Sequence, residues 1–270
     1  MPSPEPALTR LRTILGGMPS VAVAVSGGVD SLTLATAAHD ALGDRARMHH
    51  AVSPAVPPEA TARTQALADA RGWNLDVFDA GEFADPAYRA NPANRCFFCK
   101  TNLYGAVAAR TRDPIASGTN LDDLGDYRPG LLAARDHGVR HPFVEAEIGK
   151  AEVRRIAAVL GLGEIAELPA APCLSSRVET GIRIEAATLA FVHEAERLVA
   201  AELRPRTVRC RVRATGVVIE LDEAALARLD VRREEQLQAQ IGEMMETAQL
   251  GQPVRFAPYR MGGAFLRPVS

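Results

Sequence analysis

The sequence predicts an α/β protein: a doubly wound parallel sheet followed by a smaller C-terminal α+β domain. Three observations carry that expectation. A continuous apolar run, Val21-Ala22-Val23-Ala24-Val25, reads as a strand buried on both faces. Strand and helix patterns then alternate to about residue 160, the order of right-handed βαβ units around a parallel sheet. Beyond residue 180 the order changes to a long helix, a hairpin and another helix. The division is placed at 1–170 and 171–270.

Each element has a local cause. Apolar residues recur at helical spacing from Pro4 to Leu15, ahead of the first strand. Helices are expected over 31–42 and 58–71, with strands over 47–52 and 74–79. A helix over 98–111, a strand over 114–117 and a helix over 150–160 continue the alternation. The segment 162–180 is rich in proline, glycine and serine and reads as a boundary loop that carries function. A helix over 185–203 follows. Residues 207–213 and 217–221 then alternate with period two around Ala214-Thr215-Gly216, a hairpin signal. A polar helix over 232–249 and a short strand around Val254 close the pattern.

Composition sets limits on function. The 270 residues are 47% hydrophobic and 24% charged, enough apolar material for a buried core. Charges break every apolar stretch well short of the roughly 20 residues a bilayer requires, and no basic-then-apolar leader opens the chain. A cytoplasmic protein with no membrane partner is expected. A net charge of −2 gives no global attraction to nucleic acid, so an anion must be held by a local site. Lys100 and Lys150 are the only lysines, every other basic residue being arginine. Those two positions are read as needing a compact point charge that a planar guanidinium does not supply.

Ser26-Gly27-Gly28-Val29-Asp30-Ser31 follows the first strand and opens a helix. A glycine pair there exposes backbone N–H groups that can surround phosphate oxygens, aided by the helix dipole. No Lys-Ser/Thr pair follows, so the loop lacks the Walker A pattern. Adenine is expected across the carboxyl ends of neighbouring strands, walled by Ala51, Val52 and Ser53 and by Ser117, Gly118, Thr119 and Asn120. Asp30, or one of Asp122, Asp123 and Asp126, is a candidate for holding Mg2+ with the phosphates.

Cys96 and Cys99 form a CxxC pair at metal-ligand spacing near a helix start, and Cys173 lies in the boundary loop within Pro172-Cys173-Leu174-Ser175-Ser176-Arg177. A zinc staple or a pair of unliganded thiols is the plain alternative for Cys96 and Cys99. Cys210 alternates with Val208 and Val212 and is expected in the core. Arg209, Arg211 and Arg213 share the other strand face, a row suited to the phosphate of a substrate, with a solvated strand face near an oligomer contact as the alternative. Glu220 reads as a surface strand residue, and His49-His50 as local packing.

SGGVDS after a first strand resembles the signature of the PP-loop ATP-pyrophosphatase superfamily, with its adenine nucleotide alpha hydrolase-like fold. The loop, CxxCK at 96–100, SGTNLDD at 117–123 followed by Arg128-Pro129-Gly130, the helix start Lys150-Ala151-Glu152-Val153-Arg154 and Pro172–Arg177 occur in that order. Together, over about residues 8–222, they resemble the LarE family of ATP-dependent sulfur transferases, which serve nickel-pincer nucleotide cofactor biosynthesis.

The resemblance implies a reaction. A carboxylate of pyridinium-3,5-biscarboxylic acid mononucleotide, the small-molecule partner, is adenylated by ATP with release of pyrophosphate; sulfur then displaces AMP. The catalytic positions matched are Cys173, Lys150 and Asp30. Ser26, Gly27, Gly28, Val29, Asp30, Ser31, Ala51, Gly118, Thr119 and Lys150 match nucleotide-binding positions, and Arg177, Arg209 and Arg211 substrate positions. In some members the cysteine matching Cys173 gives up its own sulfur. In others it joins a CxxC pair to hold a 4Fe-4S cluster, the version that three cysteines favour here. A homo-oligomer is also implied. Val178-Glu179-Thr180 and Tyr259-Arg260-Met261-Gly262-Gly263 depart from the family pattern, at positions that touch substrate more than ATP. A tRNA thiolase would need an extended basic surface that this chain lacks, and a non-catalytic ATP or cluster carrier would not need the intact loop with both lysines.

Overall fold

The computed structural model describes residues 5–125, 128–169, 172–248, 250 and 253–264. Asp126, the expected division at 170/171 and the expected last helical residue, Gln249, lie outside them. In chain order the helices and strands are α1 (Glu5–Gly16), β1 (Val21–Ala24), α2 (Val29–Leu42), β2 (Ala46–Val52), α3 (Pro58–Arg71), β3 (Asn74–Asp79), α4 (Pro86–Arg89), α5 (Arg95–Ala108), β4 (Ile115–Ser117), α6 (Pro129–Asp136), α7 (Pro142–Glu145) and α8 (Lys150–Val159). They continue with α9 (Ala186–Leu203), β5 (Val208–Arg213), β6 (Gly216–Leu221), α10 (Glu223–Leu226), α11 (Val231–Thr247) and β7 (Val254–Pro258). The described residues of 1–85 and 94–171 make one compact unit; those of 86–93 and 172–270 make another.

In the first unit all strand pairs are parallel, in the order β3-β2-β1-β4. The chain steps outward from β1 to β2 to β3 and returns to the far side of β1 for β4, so the order reverses at β1. That reversal places a crevice at the carboxyl end of β1, where ligands of such sheets bind. Strand alternation explains the two-sided burial. Val21, Val23 and Val25 pack with Leu11, Leu15, Leu32 and Ile156 on one face, while Ala22 and Ala24 pack with Phe78, Tyr104 and Val107 on the other. This is the doubly wound α/β architecture of a PP-loop-like domain. Helix α5 starts at Arg95, three residues earlier than expected, and so takes both thiols of the CxxC pair into its first turns.

In the second unit β5 and β6 form the expected antiparallel hairpin, and β7 adds to β6 in parallel, in the order β5-β6-β7. Leu189, Val192, Ala195 and Val199 recur on the buried stripe of α9, and Leu237, Ile241 and Met245 on that of α11. Among the described residues no helix is long and apolar enough to cross a membrane.

Candidate active site

The SGGVDS loop needs its glycines. Gly27 has φ +79, and a Cβ there would lie 2.6 Å from the Ala60 carbonyl oxygen. Gly28 is extended at φ −89 and caps α2, accepting from Leu32 N at 3.0 Å. Ser31 closes the loop from inside: its Oγ accepts from Ser26 N at 3.0 Å, lies 3.1 Å from Ser26 Oγ and donates to the Gly28 carbonyl at 3.1 Å. The side chain of Val29 belongs to the core, which leaves its backbone to the loop. Of the loop side chains, Asp30 therefore remains half-buried at the first turn of α2.

Distant residues complete the crevice. Lys150 Nζ lies 2.5 Å from Asp30 Oδ2, while Asn120 Nδ2 donates to Asp30 Oδ1 at 3.4 Å. Asp122 Oδ2 accepts from the Lys150 backbone N–H, which fixes the start of α8. Close approach again demands glycine: a Cβ on Gly118 would lie 2.9 Å from Ser31 N, and one on Gly149 2.8 Å from Asp122 Oδ2. Thr119 Oγ1 lies 3.1 Å from Ser117 Oγ, which lies 2.9 Å from His141 Nδ1. Burial lowers the pKa of His141 below its ordinary value, against the nearby Glu145 and Asp123. Ala51, half-buried, sits at the carboxyl end of β2 beside Phe78. Arg154, the last residue of the Lys-x-x-x-Arg pattern, instead straps the following loop, donating to the Ala166 and Leu168 carbonyls.

Cys96 and Cys99, three residues apart on α5, share one helix face and are half-buried. Beside them Lys100 packs its stem where a Cβ on Gly130 would come within 3.0 Å of Cγ, and its Nζ lies 5.8 Å from the centroid of Tyr104. Cys173, in the second unit, is half-buried and precedes a tight 3-10 turn at Leu174–Arg177. Arg177 holds that turn from within, donating to the Pro172 carbonyl at 2.5 Å and the Cys173 carbonyl at 3.2 Å. Its other edge makes a two-pronged pair with Glu196 at 2.9 and 3.0 Å, and Glu196 also accepts from Cys210 N. Tyr88 OH, 2.7 Å from Ser175 Oγ, braces the same turn. Sequence patterns missed Glu196 and Tyr88, since each acts only across a fold. Among the described residues no three histidine, cysteine, aspartate or glutamate side chains gather as a metal-binding group. The soft thiol donors of Cys96, Cys99 and Cys173 are the type that iron–sulfur clusters use.

Cys210 is fully buried, as its alternation predicts, and burial beside Glu196 pushes its thiol pKa well up. The expected open row of arginines is not what the fold makes. Arg211 is only 4% exposed and donates to Glu220 at 2.9 Å, to the Ser176 carbonyl at 3.1 Å and to the Arg260 carbonyl at 3.2 Å. Glu220, expected at the surface, is 1% exposed and also pairs with Arg213 at 2.9 Å. The reason is topological: β6 is flanked by β5 and β7, so its glutamate is enclosed and needs counter-charges. A Cβ on Gly263 would lie 2.9 Å from Glu220 Oε1, so the atypical turn at 259–263 seats on that carboxylate. Arg209 stays half-buried, with Cζ 5.9 Å from the centroid of Tyr259. Burial, and then Arg177 nearby, lowers its pKa from the ordinary arginine value.

A parallel sheet whose order reverses above a glycine loop, with a lysine–aspartate pair at the loop's helix, defines a PP-loop-like α/β protein. Comparison with known proteins takes the class further. No family model matches the chain. The pyridinium-3,5-bisthiocarboxylic acid mononucleotide synthase of Lactiplantibacillus plantarum is 31% identical over 211 residues, covering 76% of each chain. An uncharacterized protein of Synechocystis is 38% identical over 253 residues, 91% of this chain and 90% of that one. An uncharacterized protein of Methanocaldococcus jannaschii is 28% identical over 137 residues, about half of each chain (49% and 53%). The chain belongs to the family of the Lactiplantibacillus synthase, the LarE family.

Proposed function

We propose that the protein uses ATP to activate a carboxylate of pyridinium-3,5-biscarboxylic acid mononucleotide and then inserts sulfur there, a step of nickel-pincer nucleotide cofactor biosynthesis. A substrate carboxylate oxygen attacks the α phosphorus of ATP. The bond from that phosphorus to the α–β bridging oxygen breaks, and pyrophosphate leaves. A sulfur nucleophile then attacks the acyl carbon, displaces AMP and leaves a thiocarboxylate.

The observation that carries this reading is the Lys150–Asp30 pair on the SGGVDS loop. Backbone N–H groups of residues 27–31 bind phosphate oxygens at the N-terminus of α2, and Lys150 offsets the charge that gathers on the leaving pyrophosphate. Asp30, with Asp122 nearby, would hold Mg2+ against the phosphates. Ser26 and Ser31 keep the loop in shape, while Ala51, Gly118 and Thr119 line the adenosine side. Arg209 meets the mononucleotide phosphate. Arg177 and Arg211 serve that site from behind, through the Cys173 turn and Glu220.

Cys96, Cys99 and Cys173 would hold a 4Fe-4S cluster, which when bound supplies a transferable sulfide at the iron that lacks a protein ligand. Anaerobically purified protein should release pyrophosphate only when ATP and the biscarboxylate mononucleotide are both present. Release independent of the mononucleotide, or none, overturns the reading. Iron with acid-labile sulfide is expected in that preparation, and zinc without sulfide removes the cluster. A polypeptide mass unchanged after turnover excludes loss of the Cys173 sulfur.

A further inference from the structure

Helix α3 is fastened to the phosphate loop at three points. Its Ala60 carbonyl closes on Gly27 so tightly that no side chain fits between them. Thr61 Oγ1 lies 2.9 Å from His50 Nε2, and His50 Nδ1 lies 2.9 Å from the Val25 carbonyl at the head of the loop. A carbonyl only accepts, so Nδ1 carries the hydrogen and Nε2 accepts from Thr61. The third point is Arg63, whose Nη1 donates to the Gly27 carbonyl at 2.6 Å.

Arg63, like Arg10, Arg71 and Arg154, is anchored on a backbone carbonyl, and in its case that carbonyl belongs to Gly27 of the SGGVDS loop. Arg140, Arg177 and Arg211 each face a carboxylate. Arg63 is half-buried, and among the described residues its recorded polar contact is the loop carbonyl. A guanidinium has five N–H donors in a fixed fork, and one bond to Gly27 orients the rest. A half-buried cation held by the backbone of an anion-binding loop, with no carboxylate paired to it among the described residues, is placed to receive an anion.

We propose that Arg63 is a further phosphate-binding residue: anchored on the Gly27 carbonyl, it gives its remaining donors to the terminal phosphates of ATP and to the departing pyrophosphate. This rests on the ATP reading above. Lys150 and Arg63 thus reach the phosphates from different elements, α8 and α3, and share the charge that the loop amides and helix dipole cannot offset alone.

Calorimetric titration of the full chain with Mg2+-pyrophosphate, ATP and AMP tests this, using the wild type, Arg63→Gln and Arg63→Lys. Arg63→Gln should weaken pyrophosphate and ATP about tenfold or more and leave AMP within about twofold. Arg63→Lys, which keeps the charge but not the fork, should recover part of the loss. Arg63→Gln that binds pyrophosphate like the wild type overturns the proposal while the ATP reading stands. So does an equal loss for all three ligands with a lowered melting temperature, which would make Arg63 a loop support. A wild type that binds neither ATP nor pyrophosphate overturns the ATP reading itself, and this proposal with it.

Discussion

Lys150 Nζ lies 2.5 Å from Asp30 Oδ2, joining the first residue of α8 to the first turn of α2 across 120 positions of sequence. The pair puts one compact cation at the N-terminal turn of α2. On the proposed reading its consequence is chemical, because both groups are about one-third exposed, at 34% and 28%, and contribute little to stability as a surface pair.

Lys150→Met should therefore slow substrate-dependent pyrophosphate release by about 10²–10³-fold, the scale for removing one preorganised electrostatic contact. Its melting temperature should stay near that of the wild type. Lys150→Arg should rescue poorly, since a planar fork does not replace a point charge against Asp30. Steady-state release assays with parallel thermal melts check both; near-normal release in Lys150→Met would remove the lysine from catalysis.

Gly27→Ala combines a positive φ with a Cβ that would lie 2.6 Å from the Ala60 carbonyl, a backbone atom that cannot swing away. A destabilisation of about 1–3 kcal/mol is expected, with loss of ATP binding as the loop is pushed from α3. Urea unfolding and nucleotide titration read the two effects separately.

Glu220→Ala would strip the buried Arg211 of its counter-charge and also release Arg213. Breaking one side of a buried pair costs about 3–5 kcal/mol, far more than the pair itself is worth. Denaturant midpoints should show this, and the exposed Arg135–Asp136 pair is the control, expected to change stability by less than about 1 kcal/mol when truncated. Similar costs at the two sites would contradict the buried network.

The cysteines should separate by role. Cys96→Ser, Cys99→Ser and Cys173→Ser should each lower iron and acid-labile sulfide in anaerobic preparations, whereas Cys210→Ala should retain both. The last change leaves only a small core void and costs about 1–2 kcal/mol. Iron content that depends on Cys210 but not on Cys173 would reverse the assignment.

Burial lowers the pKa values of His49, His50 and His141 from the ordinary 6.5. The unfolded chain then takes up protons near pH 6.5 that the folded chain refuses until lower pH. Stability is accordingly full above about pH 6.5 and declines as pH falls from there toward the depressed folded values. For His50 the proton would arrive on Nε2 and end its acceptance from Thr61, at the base of the SGGVDS loop. Urea midpoints between pH 5 and 8 should rise with pH, and His50→Gln should flatten part of the slope.

Much of this was legible locally. The run at 21–25, the alternation around it and the SGGVDS turn are short-range patterns, and strand period, turn chemistry and glycine freedom act within a few residues. The hairpin at 208–221 and the burial of Cys210 follow from the same period of two. The sequence by itself thus determined the α/β class, the SGGVDS turn and the family. Tertiary structure decided which side chains those elements would meet. Pairing of β7 with β6 encloses Glu220 and draws Arg211 inward, although a period-two pattern marks that arginine as outward-facing. Packing of α3 on Gly27 brings in Arg63 from 36 positions away, and α8 delivers Lys150 to Asp30 from 120. Such contacts depend on how separate elements pack, and a buried charge must find its partner wherever the fold puts one; no local pattern encodes that position.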